Sequence, residues 1–139
     1  MEYRRQGSQL FVRLERGEDV HTSLTELARR EGIQGGFVTA LGAVSDAELG
    51  YYDLERRDYE RRRLEKEVEI GSASGTLSLL EGKPHVHLHA VLSDRECRVF
   101  AGHLFSAKAA ATVEMMVHVS DGPIERTPDE ETGLNLWRV

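Results

Sequence analysis

Residues 83–104, KPHVHLHAVLSDRECRVFAGHL, decide the fold, and they hold four of the chain's six histidines. His85, His87 and His89 occupy every second position, and side chains two residues apart on a β-strand project from the same face. The residues DREC separate the apolar stretches HVHLHAVLS and RVFAGHL, which predicts the turn of a β-hairpin. The segment therefore predicts two antiparallel strands, the first with three histidines on one face.

The length of the turn decides whether His103, on the returning strand, shares that face. If Ser93 pairs with Val99, His89 lies opposite His103 and the two imidazoles are neighbours. A shift of the pairing by one residue places His103 opposite Leu88 and turns it away, unless a bulge corrects the phase. A metal site built from this hairpin therefore requires the first register.

Histidines in this arrangement have two interpretations, a metal site and a polar stripe on the sheet. Neighbouring rings of one strand reach a single ion with Zn–N bonds of about 2.0–2.1 Å, and His103 offers a third ligand. Three neutral imidazoles with an open position favour Zn²⁺, with Fe²⁺, Ni²⁺ or Cu²⁺ as other fits. The alternative is a stripe of histidines that form hydrogen bonds or line an interface, and spacing alone leaves both open.

A hydrolytic enzyme at this site would also need a base. Glu114 is the nearest acidic candidate in the sequence. The other interpretation of Glu114 is an ordinary polar residue on the exposed face of a strand.

The residues before the hairpin predict one strand and one helix. Alternation of apolar and polar residues over 10–15 predicts a strand that ends at Gly17. Residues 18–32 then change to helical spacing, with acidic residues first, arginines last and a terminal glycine. The apolar positions of this predicted helix are Val20, Leu24, Leu27 and Ala28.

Most of the remaining sequence predicts β-strands. GGFVTALGAV, AELGYYDL, RRRLEKEVEI and GSASGTLSLLEGKP each favour a strand, and residues 134–139 favour a last one. The alanines of SAKAAATVEMMVHV favour helix, whereas its threonine and valines favour strand. We expect a single domain over 1–139, with its core at about 10–137, of the α+β class. It should contain an antiparallel sheet of about seven to eight strands with one main α-helix packed on it.

Composition and charge exclude several classes of protein. The single cysteine, Cys97, forms no internal disulfide and no cysteine-based zinc cluster. The net charge of −6 gives no general attraction to nucleic acid or anionic membrane. No apolar run has the 18 or more residues of a membrane helix, and the first twelve residues lack the apolar stretch of a secretory signal. We therefore expect a cytoplasmic protein.

Residues 55–63, ERRDYERRR, place five arginines around Tyr59. The functional interpretation is a phosphate-contacting patch with a stacking ring. Interleaved acidic residues favour the alternative, a solvated strand face or interface. Of the two histidines outside the hairpin, we expect His21 at the surface and His118 packed or at an interface.

The order of these motifs resembles the plants-and-prokaryotes-conserved (PPC) domain, in its stand-alone bacterial form. The resemblance covers about residues 10–137. It rests on four segments in order: RLERGEDVHTSLTELARREGIQGGFVTALGAVSDAELGYYD, EIGSASGTLSLLEGKPHVHLHAVLSD, RVFAGHL and ATVEMMV.

The resemblance implies an antiparallel sheet with a packed helix, assembled as a homotrimer. It favours the strand interpretation of ATVEMMV. Prokaryotic members carry an H-x-H motif before the LSD turn and a histidine in GGHL, which together look like a metal site. These positions correspond to His87, His89 and His103, with His85 and Glu114 as further candidate residues. Ala101, Cys97 and Ala107 replace glycines usual in the family, so the turn and the loop beside the site depart from its pattern.

In plant relatives this domain follows an AT-hook, a DNA-binding segment, and stand-alone members are commonly labelled DNA-binding by association. This chain contains no AT-hook. Three hypotheses follow. The first is a homotrimeric metal-binding module, the second is a DNA-associated regulator, and the third is a small metal-dependent enzyme that uses a metal-activated water and a nearby carboxylate.

Overall fold

The chain forms nine β-strands and one α-helix, and a computed structural model describes all of residues 1–139. In chain order the elements are β1 (Glu2–Gln6), β2 (Gln9–Glu15), α1 (Val20–Glu31), β3 (Gly36–Asp53), β4 (Asp58–Leu64), β5 (Val68–Leu80), β6 (Lys83–Ser93), β7 (Val99–Val119), β8 (Glu125–Pro128) and β9 (Asn135–Arg138).

The predicted helix is confirmed as α1. The side chain of Asp19 accepts a hydrogen bond from the backbone N–H of Thr22 at 2.8 Å, which caps the first turn. Gly32 ends the helix in the left-handed conformation, with a φ of 63°. The apolar face, which includes Leu24 and Leu27, is buried against the sheet. No helix in the structure combines the length and the apolar character that crossing a membrane requires.

The sheet closes on itself through four strands. β3 pairs with β5, β5 with β6, β6 with β7, and β7 returns to pair with β3. β2 and then β1 extend the sheet beyond β7, while β4 pairs with β3. Leu88, Leu92 and Leu104 point into the core, and α1 packs against β6 and β7. The odd-numbered side chains of β6, including the histidines, therefore face away from the core.

The expectation of a wholly antiparallel sheet is wrong, because the sheet is mixed. β8 runs parallel to β5, with Leu79 opposite Glu125 and Leu80 opposite Arg126. β9 then pairs with β8 in the antiparallel sense. β9 confirms the strand predicted at 134–139, whereas the residues of β8 lack the apolar alternation that would have indicated a strand. The strand count is nine rather than seven or eight.

Two pairs of predicted strands are single long strands. β3 has 18 residues and unites GGFVTALGAV with AELGYYDL, and β7 has 21 residues and unites RVFAGHL with ATVEMMV. The ambiguous alanine-rich segment is therefore strand. The pairing of β3 with β7 shifts register at several points, as at a β-bulge, but neither strand is interrupted there. At Gly42 the φ is 129°, and an added Cβ would lie 2.3 Å from the carbonyl oxygen of Thr112.

Candidate metal centre

The hairpin adopts the register that a shared site requires. Ser93 pairs with Val99, and His89 lies directly opposite His103. Of the two registers that the sequence left open, the one that the metal hypothesis requires is therefore present, and the alternative, with His103 turned away, does not occur.

Asp94 organises the turn. Its backbone N–H donates to the carbonyl of Arg98 at 3.1 Å, and its carboxylate accepts from the backbone N–H groups of Glu96 and Arg98, both at 3.0 Å. Cys97 adopts a φ of 57° and is exposed. A cysteine thus occupies the left-handed position that a glycine would fill without strain, and the turn keeps its register.

Three histidine rings converge on the outer face of the β6–β7 hairpin. One nitrogen from each of His87, His89 and His103 lies within 4.8 Å of the other two. The ring centroids are 4.9 Å apart for His87 and His103, 5.1 Å for His87 and His89, and 5.5 Å for His89 and His103. His87 and His103 are half-buried, whereas His89 is exposed. The group can hold a metal ion by geometry and by ligand type.

Burial favours the neutral form of these rings. It lowers the pKa of His87 to about 4, and the nearby Arg126 and His89 add to the effect. It also lowers the pKa of His103 to about 4, with contributions from His87 and His89. A neutral imidazole keeps the lone pair that a metal binds. The Nδ1 atom of His103 is buried and has no hydrogen-bond partner, so one polar atom of the cluster lacks the partner that burial demands.

Aromatic rings stand on one side of the cluster. The centroid of Phe105 lies 4.5 Å from that of His103, and the centroid of Tyr59 lies 5.1 Å from it. Gly50, opposite His103 in the ladder, makes room for them, since an added Cβ would lie 2.4 Å from the Phe105 ring. Gly75 has a similar role in β5, where an added Cβ would lie 2.0 Å from the carbonyl oxygen of His87. The two glycines allow the close approach that positions two of the three histidines.

Arg126 stands on the other side, and the sequence had not indicated it. Its guanidinium donates to Ser78 Oγ at 2.9 Å, Asn135 O at 2.7 Å and Thr76 Oγ1 at 3.3 Å, and Nη2 lies 3.2 Å from Nδ1 of His87. Burial lowers its pKa from the usual arginine value. β8 brings it there by pairing with β5 in parallel, a connection that no motif in the tail indicated.

A pocket of about 400 Å³ opens beside the cluster. His87, His89, Arg126 and Trp137 line it. The remaining lining residues are Phe37, Ser74, Gly75, Thr76 and Leu136.

The other candidate residues lie outside the cluster. His85 is half-buried on the same strand but is not among the three converging rings. Glu114 is exposed, eleven residues beyond His103 on β7, and it lines a different pocket, beside Arg13 and Leu41. The structure therefore places no candidate base among the three histidines.

The two histidines outside the hairpin differ from expectation. His21 is half-buried rather than at the surface, its Nδ1 atom has no partner, and burial lowers its pKa. The His118 side chain is exposed in the chain, so it is not packed, and its place at an interface stays a prediction.

The arginine-rich segment forms β4 and the turn before it. Arg56 pairs with Glu60 at 2.9 Å, and Arg63 approaches Asp46 at 3.3 Å. Tyr59 packs against the rings of His103 and Phe105. These contacts favour the interpretation of β4 as a solvated strand whose charges are largely compensated.

Residues 1–121 match the family model of the Plants and Prokaryotes Conserved (PCC) domain, the domain called PPC above. The closed sheet, the single helix and the histidine-bearing hairpin are thus features of a chain that belongs to this family. The family resemblance seen in the sequence is confirmed.

Solved structures share the fold over almost the whole chain. A metal-containing protein from Archaeoglobus fulgidus is 36% identical with a TM-score of 0.88, and the match covers 99% of this chain and 97% of that one. A "putative DNA-binding protein" from Ralstonia eutropha JMP134 is 27% identical with a TM-score of 0.92, covering 99% and 95%. A PPC protein from Pyrococcus horikoshii is 28% identical with a TM-score of 0.88, covering 99% and 94%.

Among curated proteins, this chain is similar to a bifunctional protein GlmU from Synechococcus sp. (strain JA-3-3Ab). The two are 34% identical over 125 residues, which is 88% of this chain and 19% of the GlmU protein. The chain spans about a fifth of the length of the curated relatives it matches.

Proposed function

We propose that the protein is a metal-binding module of the PCC family, holding one divalent transition-metal ion, Zn²⁺ in the first place, on His87, His89 and His103. One observation carries this proposal: the three ring nitrogens converge within 4.8 Å on one face of the hairpin. Ligands on one zinc ion lie closer together than that, so loading requires small rotations of the side chains.

The donor set supports a transition metal rather than a hard cation. Three imidazole nitrogens suit zinc, copper, iron or nickel, whereas Mg²⁺ and Ca²⁺ prefer oxygen ligands. Structural zinc sites usually have four protein ligands, and a set of three leaves one position open. When bound, such an ion supplies Lewis acidity at that position. The rings of Tyr59 and Phe105 pack against the ring of His103.

The unpartnered Nδ1 atom of His103 provides a second, independent argument. A buried polar atom without a partner is costly, and an ion or a hydrogen-bonding ligand at the cluster removes that cost. The similar protein from Archaeoglobus fulgidus is itself named as metal-containing, which supports the same assignment here.

The module assembles as a homotrimer in this proposal. An apolar surface on β2, β3 and β7 supports it: Phe11, Leu41 and Met116 are 43%, 57% and 42% exposed, and Phe11 pairs directly with Met116. Large apolar side chains grouped in this way mark interaction surfaces. Light scattering coupled to gel filtration should give three times the chain mass of 15.6 kDa, and a Phe11→Glu/Met116→Glu variant should be smaller. A monomeric wild-type protein would contradict the assembly but not the metal site.

The two alternative functions receive less support from the residues. A DNA-associated regulator is favoured by the name of the Ralstonia eutropha relative, but the net charge of −6 and the ion pairs of β4 oppose it. A metal-dependent enzyme would place a carboxylate near the histidines, and Glu114 lies on another part of the surface.

Elemental analysis tests the metal proposal. We expect about one transition-metal ion per chain in protein purified from metal-rich medium, and its loss in a His87→Ala/His89→Ala variant. His85→Ala is the matched control, because it removes a histidine from the same face of β6 and leaves the converging group intact. Wild-type protein without bound metal, or a double variant that keeps its metal, would overturn the proposal.

A further inference from the structure

Arg126 is a half-buried cation whose hydrogen-bond partners are all neutral groups. A guanidinium has five N–H groups in a fixed fork, which matches a carboxylate in geometry and charge. Four of the five have partners: two hydroxyls, one carbonyl and the ring of His87. None of the chain's ion pairs includes Arg126. A buried cation without a counter-ion is unfavourable, and an anion is the ligand that would stabilise it.

The contact between Arg126 and His87 cannot coexist with a metal ion on His87. A neutral imidazole has one lone pair, and arginine can only donate. If Nδ1 of His87 accepts from Arg126, Nε2 carries the proton and cannot bind a metal. If His87 binds a metal through either nitrogen, Arg126 loses this acceptor. Loading the histidines therefore leaves two N–H groups of the guanidinium free.

The pocket beside these groups has both polar and apolar lining residues. The polar ones include His87, His89, Arg126 and Thr76. Trp137, Leu136 and Phe37 form the apolar walls, and they are 44%, 41% and 49% exposed. Its volume of about 400 Å³ suits a small organic molecule.

We propose that this pocket binds a small carboxylate with a flat apolar body, its carboxylate held by Arg126 beside the open position of the ion and its body against Trp137. The inference rests on the proposed metal site, since the ion releases Arg126 from His87 and adds positive charge beside the guanidinium. Arg126 is then a binding residue contributed by the tail, beyond the residues that match the family model.

Calorimetric titration of zinc-reconstituted protein with benzoate tests the proposal, with benzamide as the uncharged molecule of the same shape. We expect benzoate to bind at least about tenfold more tightly, because hydrogen bonds between charged groups are the stronger ones. The ratio of benzoate affinity to benzamide affinity should fall to about one in Arg126→Gln. It should persist in Arg138→Gln, which removes an exposed arginine from the neighbouring strand.

Zinc content measured on the same samples separates the two proposals. A wild-type protein that holds one zinc ion but shows no preference for benzoate overturns the carboxylate site alone. Preference that survives Arg126→Gln also overturns it, because the anion would then be bound elsewhere. A wild-type protein that holds no zinc overturns the metal site and the carboxylate site with it.

Discussion

The β6–β7 hairpin (83–104) and strand β4 (Asp58–Leu64) are both rich in residues that bind ligands, but they use them differently. In the hairpin, three histidines converge, one buried nitrogen has no partner, and the neighbouring Arg126 has no counter-ion. In β4, Arg61 and Arg63 pair with acidic residues of β3, and Glu60 pairs with Arg56 of the preceding turn. The comparison shows that uncompensated groups, rather than the density of charged or polar residues, indicate the candidate site.

Removal of a converging histidine should have the largest effect. His103→Ala should weaken zinc binding by more than the roughly 10–100-fold that loss of a supporting partner costs, because a direct ligand is removed. Competition with a chromophoric chelator measures the affinity. His118→Ala, on the same strand and exposed, is the control and should bind zinc as the wild type does. Equal affinities for the two variants would remove His103 from the site.

Adding a methyl group at Gly50, beside the aromatic rings that contact His103, should have the second-largest effect. In Gly50→Ala the new Cβ would meet the rings of Phe105 and Tyr59 at 2.4 and 3.0 Å, so both must shift beside His103. Overpacking of this kind costs about 1–3 kcal/mol of unfolding free energy, which urea denaturation followed by circular dichroism measures. Gly71→Ala is the control, since its nearest neighbour would lie at 3.6 Å. A Gly50→Ala variant as stable as the control would show that the rings do not depend on that space.

Acid should distinguish the two regions in chelator-treated, metal-free protein. Because the folded-state pKa values of His87 and His103 are about 4, against 6.5 for an unperturbed histidine, the unfolded state binds more protons between these values. The contribution of the two neutral histidines to the free energy of unfolding is complete above pH 6.5, and it is lost as pH falls toward 4. Denaturation at a series of pH values should show this decline.

A His87→Leu/His103→Leu variant should lose most of that dependence on pH. Arg63 of β4 lowers the pKa of Asp46 below its usual value of 3.8, so the carboxylate of this ion pair becomes protonated only at lower pH. A wild-type stability that is constant from pH 6.5 to 4 would contradict the neutral, buried state of the two rings.

Changes in the arginine-rich region should have the smallest effect. We expect wild-type protein to leave duplex DNA unretarded in gels even at low salt, and an Arg56→Gln/Arg62→Gln variant to behave identically. Exposed ion pairs contribute little, so the thermal midpoint should also stay unchanged. Retardation that weakens steeply with salt and disappears in the variant would restore the DNA-associated regulator.

Patterns that depend on one strand or one helix were predictable from the sequence. The alternation of β2, the caps of α1 and the histidine spacing of β6 are local, and the structure has each of them. The sequence alone left two registers of the hairpin open. It did predict which of them a shared histidine site requires, because a one-residue slip turns every side chain to the other face.

Features that depend on distant contacts were not predictable. The sequence predicted two separate segments for each of β3 and β7, but ladders to several neighbours hold each of them as one strand. β1 lacked an apolar alternation, and it forms by pairing with β2. Arg126 stands 39 residues from His87 in the sequence, and only the parallel pairing of β8 with β5 brings them together.

That pairing has an evolutionary consequence. The ladder between the tail and β5 has two residue pairs, supplemented by the hydrogen bonds of Arg126, whereas the hairpin has longer ladders on both sides. Natural selection can therefore replace the terminal segment and so alter the selectivity of the pocket, while the ancestral histidines stay unchanged. Related chains could then keep the three histidines and differ in the residues that line the pocket beside them.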